Sequence, residues 1–208
     1  MTSTGNDIVS LQKIDKKRTA QYRFYSKIIM PGEHALLDRL PFQISFEHYV
    51  WLLWSVKEAA YKYFKRLTNE LLFSPLKFVV EDIHYLQKKT SCENSFFTGR
   101  VIFDNLSLFF LSDYSEVRIH TIVHDKNNFD QVHRGISTIQ SDAYAMQSAA
   151  AKELVQKEFE KYFTGKIEIE KSEAGFPEIY IDGKKPGVAV SVSHDGCWIG
   201  WVFVLINI

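Results

Sequence analysis

Cysteine is nearly missing from this chain. Its 208 residues include only Cys92 and Cys197, far apart and without metal-type spacing. Two isolated thiols give no disulfide framework and point to a reducing compartment. Net charge is missing as well: Lys+Arg and Asp+Glu both number 25. That argues against a nucleic-acid binder driven by bulk positive charge, while leaving room for a local basic patch. Long apolar runs are also lacking. The longest, Cys197 to Ile208, is interrupted by Gly200, is too short to span a bilayer, and reads as a buried strand closing the fold. Met1 to Ser10 is polar and carries Asp7, so it has no secretory apolar segment, and the expected location is cytoplasmic.

What is present is ordinary globular material. Apolar residues make up 46% and charged residues 24%, which excludes disorder as the main state. The length suits one large domain or two small ones welded together. Aromatics reach 14%, with 16 Phe and 10 Tyr, which favours well-packed sheets.

The chain reads as helix then strands, twice. Gly5 to Ser10 is a short strand, and Lys13, Lys16, Lys17, Arg18, Arg23 and Lys27 follow against the single acid Asp15. Pro31-Gly32 and Pro41 punctuate the next stretch, with a short helix at Glu33 to Leu40. Phe46 to Leu67 is the clearest helix, with Leu53, Val56, Ala60, Phe64 and Leu67 on one face. Strands are predicted at Leu76 to Val80, Phe96 to Phe103, Leu106 to Leu111 and Glu116 to Val123, an antiparallel meander. Asp125 to Asp130 is polar and marks the boundary. A second helix follows, capped by Ser141 or Asp142, with Ala151, Leu154, Val155, Phe159 and Tyr162 as its stripe and Thr164-Gly165 as its end. Strands at Lys166 to Ile169, Glu178 to Ile181, Val188 to Ser193 and Cys197 to Leu205 close the chain. The expected fold class is α+β: two similar halves, residues 1–128 and 129–208, each a long helix packed on antiparallel sheet. With no linker between them, a tight interface is expected.

Several residues invite a chemical reading, and each has a plainer one. Glu58 and Lys62 lie one turn apart, opposite the aliphatic stripe, with Trp51, Trp54 and Lys65 on the same side and Lys57 off one edge. An i,i+4 pair on a solvated face contributes only about 0.3–0.5 kcal/mol, but charges flanked by tryptophan look partly covered, and covered charges need partners or a role. Asp7 alone is a turn or cap residue. His194, where a strand meets a turn at Ser193-His194-Asp195-Gly196, can simply bond a neighbouring carbonyl. Gly175-Phe176-Pro177 is a turn, and the basic run is a solvated surface.

Order and combination change these readings. A G-x-D-[IV] segment is followed about fifty residues later by Trp54-Ser55-Val56-Lys57-Glu58-Ala59-Ala60-Tyr61-Lys62, then by Gly175-Phe176-Pro177, then by a strand end at Val190 to Gly196. This set resembles the 4'-phosphopantetheinyl transferase superfamily, the K-E-A-x-x-K helix being its most specific piece. The motif order is that of the holo-acyl-carrier-protein synthase type. The length is closer to the branch that fuses two such halves into one pseudo-dimeric chain, although there the histidine motif comes first. Asn6 stands where an isoleucine usually precedes the aspartate, and Val9 where some relatives have a further acid.

The resemblance implies transfer of 4'-phosphopantetheine from coenzyme A to a serine of an apo acyl or peptidyl carrier protein, with release of 3',5'-ADP. It implies Mg²⁺, which takes one or two carboxylates plus substrate phosphates, here Asp7 and Glu58. Lys62 and Lys57 would meet phosphates, and His194 with Ser193 would sit at the pyrophosphate. The serine proton would go to Glu58 directly or through a metal-bound water. Carrier proteins of this kind are acidic, so Lys13, Lys16, Lys17, Arg18 and Arg23, interleaved with Tyr22, Phe24 and Tyr25, form a docking surface. A pseudo-dimer would be a monomer in solution. Two alternatives stay open: a non-catalytic coenzyme A or carrier-binding module of the same fold, and an unrelated α+β protein that meets single-stranded nucleic acid through the basic run.

Overall fold

The computed structural model describes residues 3–40, 44–86, 95–140 and 143–205. Pro41, Cys92 and the capping candidates Ser141 and Asp142 lie outside them. The chain runs β1 (Gly5–Ser10), α1 (Lys16–Thr19), α2 (Tyr22–Tyr25), α3 (Pro31–Leu37) and α4 (Phe46–Lys65). A 3₁₀ turn at Pro75–Lys77 leads into β2 (Val79–Leu86), β3 (Ser95–Phe103), β4 (Leu106–Tyr114) and β5 (Arg118–His124). Then come β6 (Val132–Thr138), α5 (Tyr144–Phe159), β7 (Ile167–Lys171), β8 (Pro177–Ile181), β9 (Ala189–Asp195) and β10 (Trp198–Val204). Five strands form a sheet in the order β1-β5-β4-β3-β2, three form β6-β10-β9, and β7 pairs with β8. Every ladder is antiparallel, so the α+β class with antiparallel sheets holds.

Helix α4 organises the larger layer. The Ser45 hydroxyl accepts from the His48 N–H at 3.2 Å, capping its first turn. Tyr49, Leu52, Leu53, Val56, Ala60 and Phe64 are buried against the five-stranded sheet, each fully buried aliphatic contributing about 1.5–3 kcal/mol. This buried face is broader than the predicted stripe. Leu67 is not on it: it follows the helix end and is 45% exposed. β1 lies close against α4, because a Cβ at Gly5 would stand 2.0 Å from the Ala59 carbonyl oxygen. Only glycine permits that approach.

In the C-terminal part Val155 and Phe159 of α5 pack on Ile169, Val190, Trp201 and Phe203. Tyr162 lies beyond the helix and is 45% exposed. Ile122 of β5, packed with Val132, Val202 and Val204, forms a separate core where the two larger sheets meet.

Some predicted boundaries shift. The second strand begins at Val79 rather than Leu76, because Pro75 opens a 3₁₀ turn and has no N–H to give a ladder. It continues to Leu86, carrying Glu81 and His84 on its exposed face and a bulge between Val80 and Asp82. β6 was not expected, since His133, Arg134 and Gly135 mask its alternation. Nor were α1 and α2, single turns too short to show a period. Among the described residues no helix is long and apolar enough to cross a membrane.

Candidate active site

The tight packing of β1 on α4 brings Asp7 to the Glu58 and Lys62 turn of the helix. Lys62 Nζ donates to Asp7 Oδ1 at 3.1 Å and lies 3.4 Å from Glu58 Oε1, so two carboxylates share one ammonium. Asp7 is 5% exposed, and the Glu58 and Lys62 side chains are 27% and 26% exposed. The pair is therefore not a freely solvated one. Burial, and then the Glu58 charge, push the Asp7 carboxyl up to about 7 against the opposing pull of Lys62. For Lys62, burial opposes the charge, but Asp7 and Glu58 outweigh it and hold the ammonium above the usual lysine value.

Asp7 Oδ2 is buried and makes no hydrogen bond of ordinary length among the described residues, the Ser55 hydroxyl being the nearby donor that favours its ionised form. An orphaned carboxylate oxygen beside a second carboxylate is a hard-donor set that suits Mg²⁺. Among the described residues no three His, Cys, Asp or Glu side chains gather as a metal cage. A cation held by Asp7 and Glu58 would thus need substrate phosphates or water to complete its shell.

One turn beyond Lys62, Arg66 ties α4 to the Gly175-Phe176-Pro177 turn. Its Nη2 donates to the Val190 carbonyl and, at 3.4 Å, to the Pro177 carbonyl, and its guanidinium lies over the Phe176 ring at 4.4 Å. Burial lowers Arg66 to about 10. A cleft of about 160 Å³, lined by Lys62, Arg66, Gly175 and Val192, adjoins a cavity of about 550 Å³ between α5, β7 and β9. The larger cavity has Val155, Ile169 and Val192 on its apolar side and Lys152, Glu170, Lys171 and His194 on its polar side. The two share Gly175, Pro177 and Val192 as walls. Burial, then the Lys62 and Lys171 charges, hold the His194 imidazole below its ordinary value, so the Lys62 field reaches this histidine.

Two expected residues lie elsewhere. Lys57 is not at an accessible helix edge: it is fully buried, its Nζ 2.7 Å from Glu33 Oε2 and 2.6 Å from the Ile28 carbonyl oxygen. The spacing held the clue, since Lys57 stands four residues after Leu53 and three before Ala60, both in the buried stripe. Ser193 is 6% exposed and its Oγ accepts from Asn6 Nδ2 at 2.9 Å. It faces β1 while His194 faces the cavity, because neighbouring strand residues point to opposite sides. The basic run is as expected on the surface: Lys13, Lys16, Lys17, Arg18 and Arg23 are exposed, and Arg18 lies over the Phe24 ring at 5.1 Å. Arg66, Lys152 and Lys171 were not singled out from the sequence. For Arg66 a signal existed, its position four residues after Lys62.

The family model of the 4'-phosphopantetheinyl transferase superfamily matches residues 3–104. That stretch contains Asp7, Glu58, Lys62 and Arg66, whereas His194 and the larger cavity lie outside it. No curated protein and no solved structure matches the chain.

Proposed function

Residues 3–104 being a 4'-phosphopantetheinyl transferase superfamily domain, we propose that the chain moves 4'-phosphopantetheine from coenzyme A to a serine of an apo acyl or peptidyl carrier protein. The observation that carries this reading is the buried Asp7 carboxyl joined through Lys62 to Glu58, with an unsatisfied oxygen. Mg²⁺ on Asp7 and Glu58 would neutralise the pyrophosphate and polarise the phosphorus. The serine Oγ attacks the phosphorus that carries pantetheine, that phosphorus loses its bond to the bridging oxygen, and 3',5'-ADP departs. Glu58, the more exposed carboxylate, takes the serine proton. Lys62, held cationic by both carboxylates, balances the charge on the transferring phosphate. His194 stays neutral near pH 7 and offers one ring N–H to the pyrophosphate. The cavity of about 550 Å³ has the volume of a small-ligand site, and Lys152 and Lys171 give it the charge to hold the nucleotide end of coenzyme A.

Two halves, 1–128 and 129–208, then act as a fused pair. α4 on one sheet and α5 on β9 and β10 support this, as does the separate core between the sheets. The expected solution state is a monomer. Intact-mass analysis of an apo carrier protein incubated with the protein, coenzyme A and Mg²⁺ tests the reading. A gain of one phosphopantetheine, abolished by EDTA, is expected. Binding of coenzyme A with no modification of any carrier class would favour the non-catalytic module instead.

The exposed run from Lys13 to Arg23 serves the same reading as the carrier dock. Reversing Lys16, Lys17 and Arg23 to Glu is expected to raise the KM for carrier about tenfold, mainly by slowing association, with the KM for coenzyme A unchanged. Added salt should mimic the variant, since exposed charges are screened beyond about 10 Å at 0.1 M. Equal losses for both substrates would overturn the docking assignment.

A further inference from the structure

Asp7 and His194 stand on strands that share no ladder: β1 pairs with β5, and β9 pairs with β10. Their relative position is therefore set by side chains, and one side chain dominates the contact. Asn6 is fully buried. Its backbone N–H donates to Ser191 Oγ at 3.2 Å, and its Nδ2 donates to Ser193 Oγ at 2.9 Å and to His120 Nε2 at 3.2 Å. An amide has two N–H donors, and both are used. The second needs His120 neutral, with its proton on Nδ1. Burial, followed by the Arg118, Arg134 and Lys62 charges, lowers that imidazole to about 3, so it stays an acceptor near neutral pH.

β10 is shaped to admit this contact. A Cβ on Gly200 would fall 2.6 Å from His120 Cδ2, 2.7 Å from His120 Nε2 and 3.2 Å from Asn6 Nδ2. Gly200 is also the ladder partner of Ser193. Further along, the Ser10 N–H donates to Asp195 Oδ2 at 2.8 Å. β1 is thus pinned to β9 at both ends, with Asp7 and His194 immediately beside the Asn6 pin.

Resting on the transferase reading above, we infer that Asn6 is a positioning residue that sets the register of the Asp7 strand against the His194 strand. An isoleucine in its place has as many side-chain heavy atoms, is bulkier, and supplies no donor. The backbone bonds of residue 6 to Ser191 and of Ser10 to Asp195 remain, but the two side-chain bonds beside Asp7 are lost, which loosens β1 toward a slide of part of a residue, where one residue is about 3.3 Å. Displacement of about 1 Å at a reacting centre costs on the order of a hundredfold in rate.

The test compares wild type, Asn6→Ile and, on a strand without a site residue, Gly200→Ala. Each is checked for folding by circular dichroism, then measured for transfer kinetics and for histidine ring resonances by NMR. Expected are a kcat lower by about ten- to a hundredfold with the KM for coenzyme A within about threefold, a shifted His194 ring signal, and loss of the acceptor signature at His120 Nε2. If one variant does not fold, the other decides. A folded variant with wild-type kcat and an unmoved His194 signal would overturn the inference and leave the transferase reading standing. Wild type without transfer activity would overturn that reading, and the role in catalysis with it, while the His194 signal would still report whether Asn6 couples the strands.

Discussion

Asp7→Asn and Glu58→Gln are each expected to lower transfer by about a thousandfold or more, since losing a ligand or the base removes several kcal/mol of charge stabilisation. The two variants should differ in stability, and that difference identifies the buried group. In the folded protein the Asp7 carboxyl is pushed up to about 7 from an ordinary 3.8. A carboxyl raised on folding favours the fold while it is protonated. That contribution is full below about pH 4 and is lost as pH rises through about 7, because the unfolded chain ionises first. With EDTA present, wild type should lose stability relative to Asp7→Asn as pH rises through this window, the buried histidines such as His120 contributing alike to both profiles, and Asp7→Asn should be the more stable near pH 7. Thermal unfolding from pH 4 to 8 measures both. Parallel profiles for wild type and Asp7→Asn, or full activity of either variant with Mg²⁺, would refute the assignment.

The largest stability effect is expected at Lys57 and Glu33, far from any phosphate. Lys57 is fully buried and Glu33 is 1% exposed, with 2.7 Å between Nζ and Oε2. Glu33 Oε1 also accepts from the Val80 N–H at 2.7 Å and Oε2 from the Met30 N–H at 2.8 Å, while its carbonyl accepts from Tyr49 Oη at 2.6 Å. One ion pair thus ties α4 to α3 and β2. Burial lowers the Lys57 ammonium and Glu33 opposes that shift. Removing one partner leaves an uncompensated buried charge and costs about 3–5 kcal/mol. Lys57→Met or Glu33→Gln alone should lower the urea midpoint sharply, and the double variant should recover part of the loss. A Lys57→Met protein of wild-type stability with a raised KM for coenzyme A would restore the phosphate-binding role and overturn this one.

Much of the molecule could be read from local pattern. Helix α4 announces itself because its buried face repeats, and the closing strand β10 because its apolar run is continuous. The spacing of Glu58 and Lys62 on one helix turn is also a local property, and so is the exposure of the basic run. Local pattern failed where an element was one turn long, as in α1 and α2, or where polar residues interrupted a strand, as in β6.

Tertiary structure decided the rest. Asp7 read alone is a turn residue, and it becomes a perturbed acid only because Gly5 lets β1 settle on Ala59. Lys57 and Lys62 are five residues apart on one helix, yet one is sealed against Glu33 while the other lies between two carboxylates. Ser193 and His194 are adjacent in sequence, yet they face a buried network and a cavity. In each case the residue types and their spacing came from the chain, while the charge state and accessibility came from distant segments brought against them. Desolvation depends on what covers a group: the stripe spacing around Lys57 records that it is buried but not that Glu33 meets it, and nothing within a few residues of Asp7 or Ser193 records what their cover will be.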